Sequence, residues 1–136
     1  MRSALALCLV ALTLSACGAA APRDSAEEFS GEKRAVAAAV EDMEEAARKN
    51  DSDRLCTKLL SEELLAAVKE EGINCVTAIR DAFKDASSKD LTVEDVSIRG
   101  DAATVEVTSG EGSNEKTDKL ELEKAGANWR ISSLRS

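Results

Sequence analysis

The chain has no histidine and no tyrosine, one tryptophan, one proline and two phenylalanines in 136 residues. Without histidine a Ser-His-Asp triad cannot be assembled. Structural zinc asks for four Cys or His ligands, and no Cys-x-x-Cys spacing marks a redox site. No Gly-rich phosphate loop is present either: "SGEGS", residues 109–113, reads as a hairpin turn with no helix behind it. Basic residues are in deficit, with 18 Lys+Arg against 26 Asp+Glu and a net charge of -8. That balance disfavours nucleic acid, whose phosphates need clustered Lys and Arg. It equally disfavours electrostatic adsorption to anionic lipid. The acidic excess is a solvated surface, and no metal or cofactor is expected.

What is present begins at the N-terminus. Behind Arg2 the chain is apolar from Ala4 to Leu14 except for Thr13. This run is too short to cross a bilayer, which takes about 20 helical residues. A basic residue, a short apolar stretch and then small residues is the layout of a removable secretory signal. The sequence Leu14-Ser15-Ala16-Cys17 resembles the bacterial lipobox: Leu three before Cys, small residues between. The resemblance implies cleavage ahead of Cys17 and a diacylglycerol thioether on its sulfur. Acyl chains hold because each buried methylene contributes about 0.8 kcal/mol, and more than one chain is needed for a stable anchor. The alternative is an ordinary signal peptide cut near "GAAA". On the first reading residues 1–16 are the signal peptide, 17–29 a lipidated cysteine and tether, and 30–136 a single domain. The protein is then extracytoplasmic and held on the cell membrane by Cys17, or on the outer membrane where the host has two.

Cys8 leaves with the signal and Cys17 carries lipid, so Cys56 and Cys75 remain. An even pair in an oxidising compartment reads as a disulfide; a thiol pair for metal or redox work is the rival. A closed loop of this size would stabilise the fold by ~3 kcal/mol on the chain-entropy model.

In the domain, Phe29, Val36, Val40, Met43 and Ala47 share one helical face. "SAEE" (Ser25 to Glu28) has capping-box form, which allows that helix to begin before Phe29. "KNDSD" then supplies its stop and the next N-cap. A second helical stretch runs from Asp53 to Gly72 with Leu55, Leu59, Leu60, Leu64, Leu65 and Val68 inward, and Ser61 is placed to split it. Asn74 caps a third helix with Val76, Ile79 and Phe83 inward. Carboxylates in "EDMEEA" (residues 41–46) read as a solvated face.

From Leu91 the period becomes two. Leu91 and Val93 fall out of phase with Val96 and Ile98, which places a bulge at Glu94-Asp95. Ala103, Val105 and Val107 alternate with polar residues, Leu120 and Leu122 share a face, and Trp129 and Ile131 close the chain. Four strands joined by Gly-containing turns make an antiparallel meander. The fold class is α+β, three N-terminal helices packed on a curved four-stranded sheet.

"LCTKLL…INCVTAI" and "VEDVSIRGDAATVEVTSG…DKLELEKAGANWRISSL" resemble small bacterial lipoproteins with a nuclear transport factor 2-like domain. The resemblance covers residues 30–135 and rests mostly on packing positions. It implies a sheet wrapped against helices as a cone whose open end forms an apolar pocket, for which Trp129, Phe29 and Phe83 are the candidates. It also implies a homodimer through the sheet face in some members. Enzymes of that fold place Tyr and Asp or His in the cone, and this chain lacks Tyr and His. No catalytic residue is assigned. The expected function is a non-enzymatic binding or interaction module, with the membrane, an envelope protein or a small apolar ligand as partner and no nucleic acid. The alternatives are a structural or regulatory envelope domain without ligand, and a pocket enzyme of the same fold.

Overall fold

The computed structural model describes residues 25–85, 90–110 and 112–135. The signal, Cys17 and the tether up to residue 24 lie outside the described residues. A 3-10 turn, Ser25–Glu28, leads into α1, Gly31–Arg48. Then come α2, Ser52–Arg54, a π-helical turn, Leu55–Leu59, α3, Glu62–Glu70, and α4, Cys75–Asp85. The strands β1, Leu91–Arg99, β2, Ala102–Ser109, β3, Lys116–Ala125, and β4, Asn128–Arg135, form one antiparallel sheet in sequence order. The class is α+β as expected, with four α-helical segments among the described residues where the sequence suggests three. Ser61 makes the difference: its hydroxyl accepts the Leu64 N–H at 3.1 Å and caps α3.

Helix ends follow local chemistry. Asn50 takes the left-handed conformation (φ 54°) just past α1, so that Asp51 N–H reaches the Ala46 carbonyl at 2.8 Å. Asp51 then caps α2 through the Arg54 N–H at 3.0 Å. Gly72 (φ 73°) does the same for α3, where Ile73 N–H bonds the Val68 carbonyl at 3.3 Å. That motif brings the Ile73 backbone back to Val68, and the Ile73 side chain stays 45% exposed. Asn74 caps α4 through the Thr77 N–H at 3.1 Å.

"SAEE" is not a capping box. Ser25 is buried and its hydroxyl is used across the fold, donating to Glu41 Oε1 at 3.2 Å and accepting the Val93 N–H at 3.3 Å. α1 instead begins at Gly31, behind Ser30. With Ser25 and Ala26 buried, the packed unit includes the turn that the sequence reading assigns to the tether.

The core lies between α1 and the inner sheet face. Val36 and Val40 meet Val96, Val105, Leu122 and Ile131, all fully buried. Each such side chain contributes about 1.5–3 kcal/mol relative to exposure. Glu94 bulges out of β1, as the phase slip predicts, and Ser132 bulges out of β4. Part of each sheet edge is engaged by the rest of the chain, which shortens the stretch left open to other strands. Ser25 and Glu44 take β1 N–H groups, while Ser61 N–H bonds the Ile131 carbonyl of β4 at 2.8 Å.

Candidate functional site

The outer sheet face carries the depression of interest, about 370 Å³ in volume. Strand register orders its lining in rows. Asp95, Glu106 and Lys119 are cross-strand neighbours, Ser97 faces Thr104, and Arg99 faces Ala102. Hydroxyls therefore form the middle and charges the ends, with Ala102 leaving room beside Arg99. The Gly100-Asp101 turn, with Gly100 at φ 61°, closes the Arg99 end of the hairpin. Asp95 and Glu106 stand directly opposite one another, a destabilising like-charge arrangement. Lys119 Nζ relieves it only partly, 4.0 Å from Glu106. Neither the Asp95 nor the Arg99 side chain makes a hydrogen bond or ion pair among the described residues. Sequence alternation shows each strand's outer residues; their alignment across three strands depends on register, and no residue announces it.

A second feature is the buried end of "EDMEEA". Only part of that segment is a solvated face. Glu41 is half-buried and accepts the Ala26 N–H at 2.7 Å. Glu44 is 7% exposed, accepts the Leu91 N–H, and pairs with Arg48 at 2.8 Å. Its pKa is raised, first by desolvation and with help from Asp90, against the lowering effect of Arg48. Exposed Asp42 and half-buried Glu45 instead hold Arg54 at 2.6 and 2.8 Å. Lys49 and then Arg54 lower the Glu45 pKa to about 2. These carboxylates are used in holding the helix to its neighbours.

The sign for Glu44 is definite. A carboxyl with a raised folded-state pKa binds more protons folded than unfolded just above 4.5, so stability falls as pH rises through that window and then levels. Glu44→Gln keeps an acceptor for Leu91 and removes the charge. Urea midpoints measured from pH 4 to pH 8 should show this decline in the natural chain and a flatter curve in the variant. The assignment is wrong if the two curves run parallel.

Trp129 is 5% exposed on the inner face, with Lys124 Nζ 5.8 Å from its ring centroid. Lys124 also pairs with Glu32 in the first turn of α1. Phe29 and Phe83 are half-buried against the same core, one before α1 and the other on α4. The depression thus lies on the opposite sheet face from Trp129. Cys56 and Cys75 are joined in a disulfide, Cα–Cα 6.1 Å, which ties the π-helical turn to the start of α4. Beside it Leu64, Leu65 and Val68 of α3 and Val76, Ile79 and Phe83 of α4 are half-buried.

No family model matches the chain, and no curated protein matches it. Among solved structures it is similar to a SEC-C motif-containing protein from Rhodopseudomonas palustris. That match has 18% identity over 84% of this chain and 81% of the other, with a TM-score of 0.57. It is also similar to a de novo designed protein of the nuclear transport factor 2 fold, at 15% identity over 77% of this chain and 85% of the other, TM-score 0.48. At 18% identity the first likeness shows the α+β fold alone, not a ligand or a reaction.

Proposed function

We propose that this protein is an extracytoplasmic, membrane-anchored binding module without catalytic activity, held by lipid on Cys17. The observation that carries the binding reading is the outer-face depression, with a carboxylate at one end and a guanidinium at the other, neither ion-paired among the described residues. The lipobox-like Leu14-Ser15-Ala16-Cys17 supports the anchor, and the Cys56–Cys75 disulfide supports an oxidising compartment. Engagement of Glu41 and Glu44 with backbone N–H groups, and the lack of His and Tyr, support a non-enzymatic role. The finer fold assignment is a nuclear transport factor 2-like cone, on the order of helices and meander. The half-exposed apolar flank of α3 and α4 favours a second reading, an accessory domain that docks on an envelope protein.

Intact mass and fractionation test the anchor. The chain made in a lipoprotein-processing bacterium should have the mass of residues 17–136 plus acyl chains and remain in the membrane fraction. Cys17→Ala should move it to the soluble fraction. An unacylated mass, with the natural chain already soluble, would remove the anchor from the proposal.

A further inference from the structure

We infer that the outer-face depression binds short zwitterionic peptides of two or three residues, laid along β1 with the amino terminus at Asp95 and the carboxylate at Arg99. The inference rests on the binding reading above and adds the ligand class.

Three observations carry it. The end charges are opposite and available, since Asp95 and Arg99 are exposed and make no ion pair among the described residues. Their spacing suits the ligand. Four residues along a strand is roughly 13 Å at 3.3 Å per residue, and two or three extended peptide residues span about 7–11 Å, leaving about 1–3 Å at each end for the Asp95 and Arg99 side chains to close. The row between them supplies Ser97 and Thr104 hydroxyls, which donate and accept and so match a peptide's own N–H and C=O groups. Asp95 opposite Glu106 adds a reason for a cation at that end, because an ammonium relieves the repulsion that Lys119 relieves only in part. At the other end a guanidinium receives a carboxylate in two parallel hydrogen bonds, and small Ala102 leaves space beside it.

An open site of this kind binds weakly, so the measurement is a ¹⁵N chemical-shift titration of the full chain with triglycine into the millimolar range. Amide shifts should cluster at Ser97, Arg99 and Thr104 and saturate. Acetylating the amino terminus or amidating the carboxyl terminus should each weaken binding about tenfold. Asp95→Asn should abolish the penalty for acetylation and leave that for amidation; Arg99→Gln should do the reverse. Asp95→Asn removes a like-charge pair, so its unfolding midpoint should hold or rise while its affinity falls, which a merely structural role would not produce. Equal binding of doubly capped triglycine at the same residues overturns the zwitterion and leaves the site standing. Shifts confined to the α3–α4 flank, or none with any of these probes, overturn both the ligand class and the depression as the binding site.

Discussion

Replacing Cys56 and Cys75 together with alanine is expected to lower the thermal midpoint by roughly 10–15 °C and to free α4 before the sheet opens. The disulfide closes a sequence separation of 19 residues, for which the chain-entropy model gives ~3 kcal/mol. Its position makes the loss local first. α4 packs mainly on α2, α3 and the π-helical turn, and none of its described side chains is buried. It has 11 residues, short of the ~12–15 that an isolated helix needs in water. Cys56, by contrast, is buried beside Leu55 and Leu59, which belong to the core. The bond therefore ties a weakly seated helix to a firmly seated turn. Thermal unfolding with and without a reductant, together with hydrogen exchange, checks this. Amides of residues 75–84 should lose protection while those of β2 and β3 keep theirs. An unchanged midpoint on reduction would mean that α4 is held by its packing and the bond adds little.

The same release would bear on the second functional reading. Leu64 and Leu65 of α3 flank α4 and are already half-exposed. If α3 and α4 dock together on an envelope protein, the double variant should lose that partner while keeping the membrane anchor and the outer-face depression. Loss of peptide binding as well would point to general unfolding.

The sequence reveals most where the rule is local. Period-two alternation marks Val93, Val105, Leu122 and Ile131 as inner residues, and all four are buried. The phase slip at Glu94 marks a bulge because apolar residues on both sides register it. At Ser132 the trace is slighter: Ile131 and Leu134 fall three apart, but only one apolar residue follows the slip before the strand ends. The π-helical turn is hidden for a related reason. Leu55, Leu59 and Leu60 suit an ordinary helix face, and only the bond from Leu60 N–H to the Leu55 carbonyl, 3.0 Å, reveals the extra residue. Ser25 and Glu41 are misread because their partners are distant in sequence: Val93 lies 68 residues from Ser25. A capping-box pattern cannot register that competition. The depression is the extreme case. Asp95, Glu106 and Lys119 come from three strands and form a row only through register.

Trp129→Ala is expected to destabilise the domain by ~3–5 kcal/mol, the range for emptying a buried aromatic site. Against a total of about 5–15 kcal/mol for an ordinary domain, that leaves a chain partly unfolded near physiological temperature. The ring is 5% exposed and belongs to the core cluster, so its loss opens a cavity between α1 and the hairpin of β3 and β4. It also strands Lys124, which stands over the ring and reaches Glu32 on α1. Two milder variants separate these effects. Trp129→Phe keeps an aromatic body and should cost about 1–2 kcal/mol. Lys124→Met removes the cation but keeps the stem. With its charge screened by water, it should lower the midpoint less than either tryptophan variant. Because Trp129 is the one tryptophan, its emission in the natural chain reports directly on this site. The emission should be blue-shifted in the fold and move red in one step with the circular-dichroism transition. Urea unfolding of the three variants by circular dichroism ranks the costs. If Trp129→Ala kept its midpoint, the indole would be free to serve a ligand, and the helix-covered face of the sheet would replace the outer face as the place to look for one. If the midpoint collapses as expected, Trp129 holds the hairpin to α1 and steadies the sheet on whose other face the depression lies.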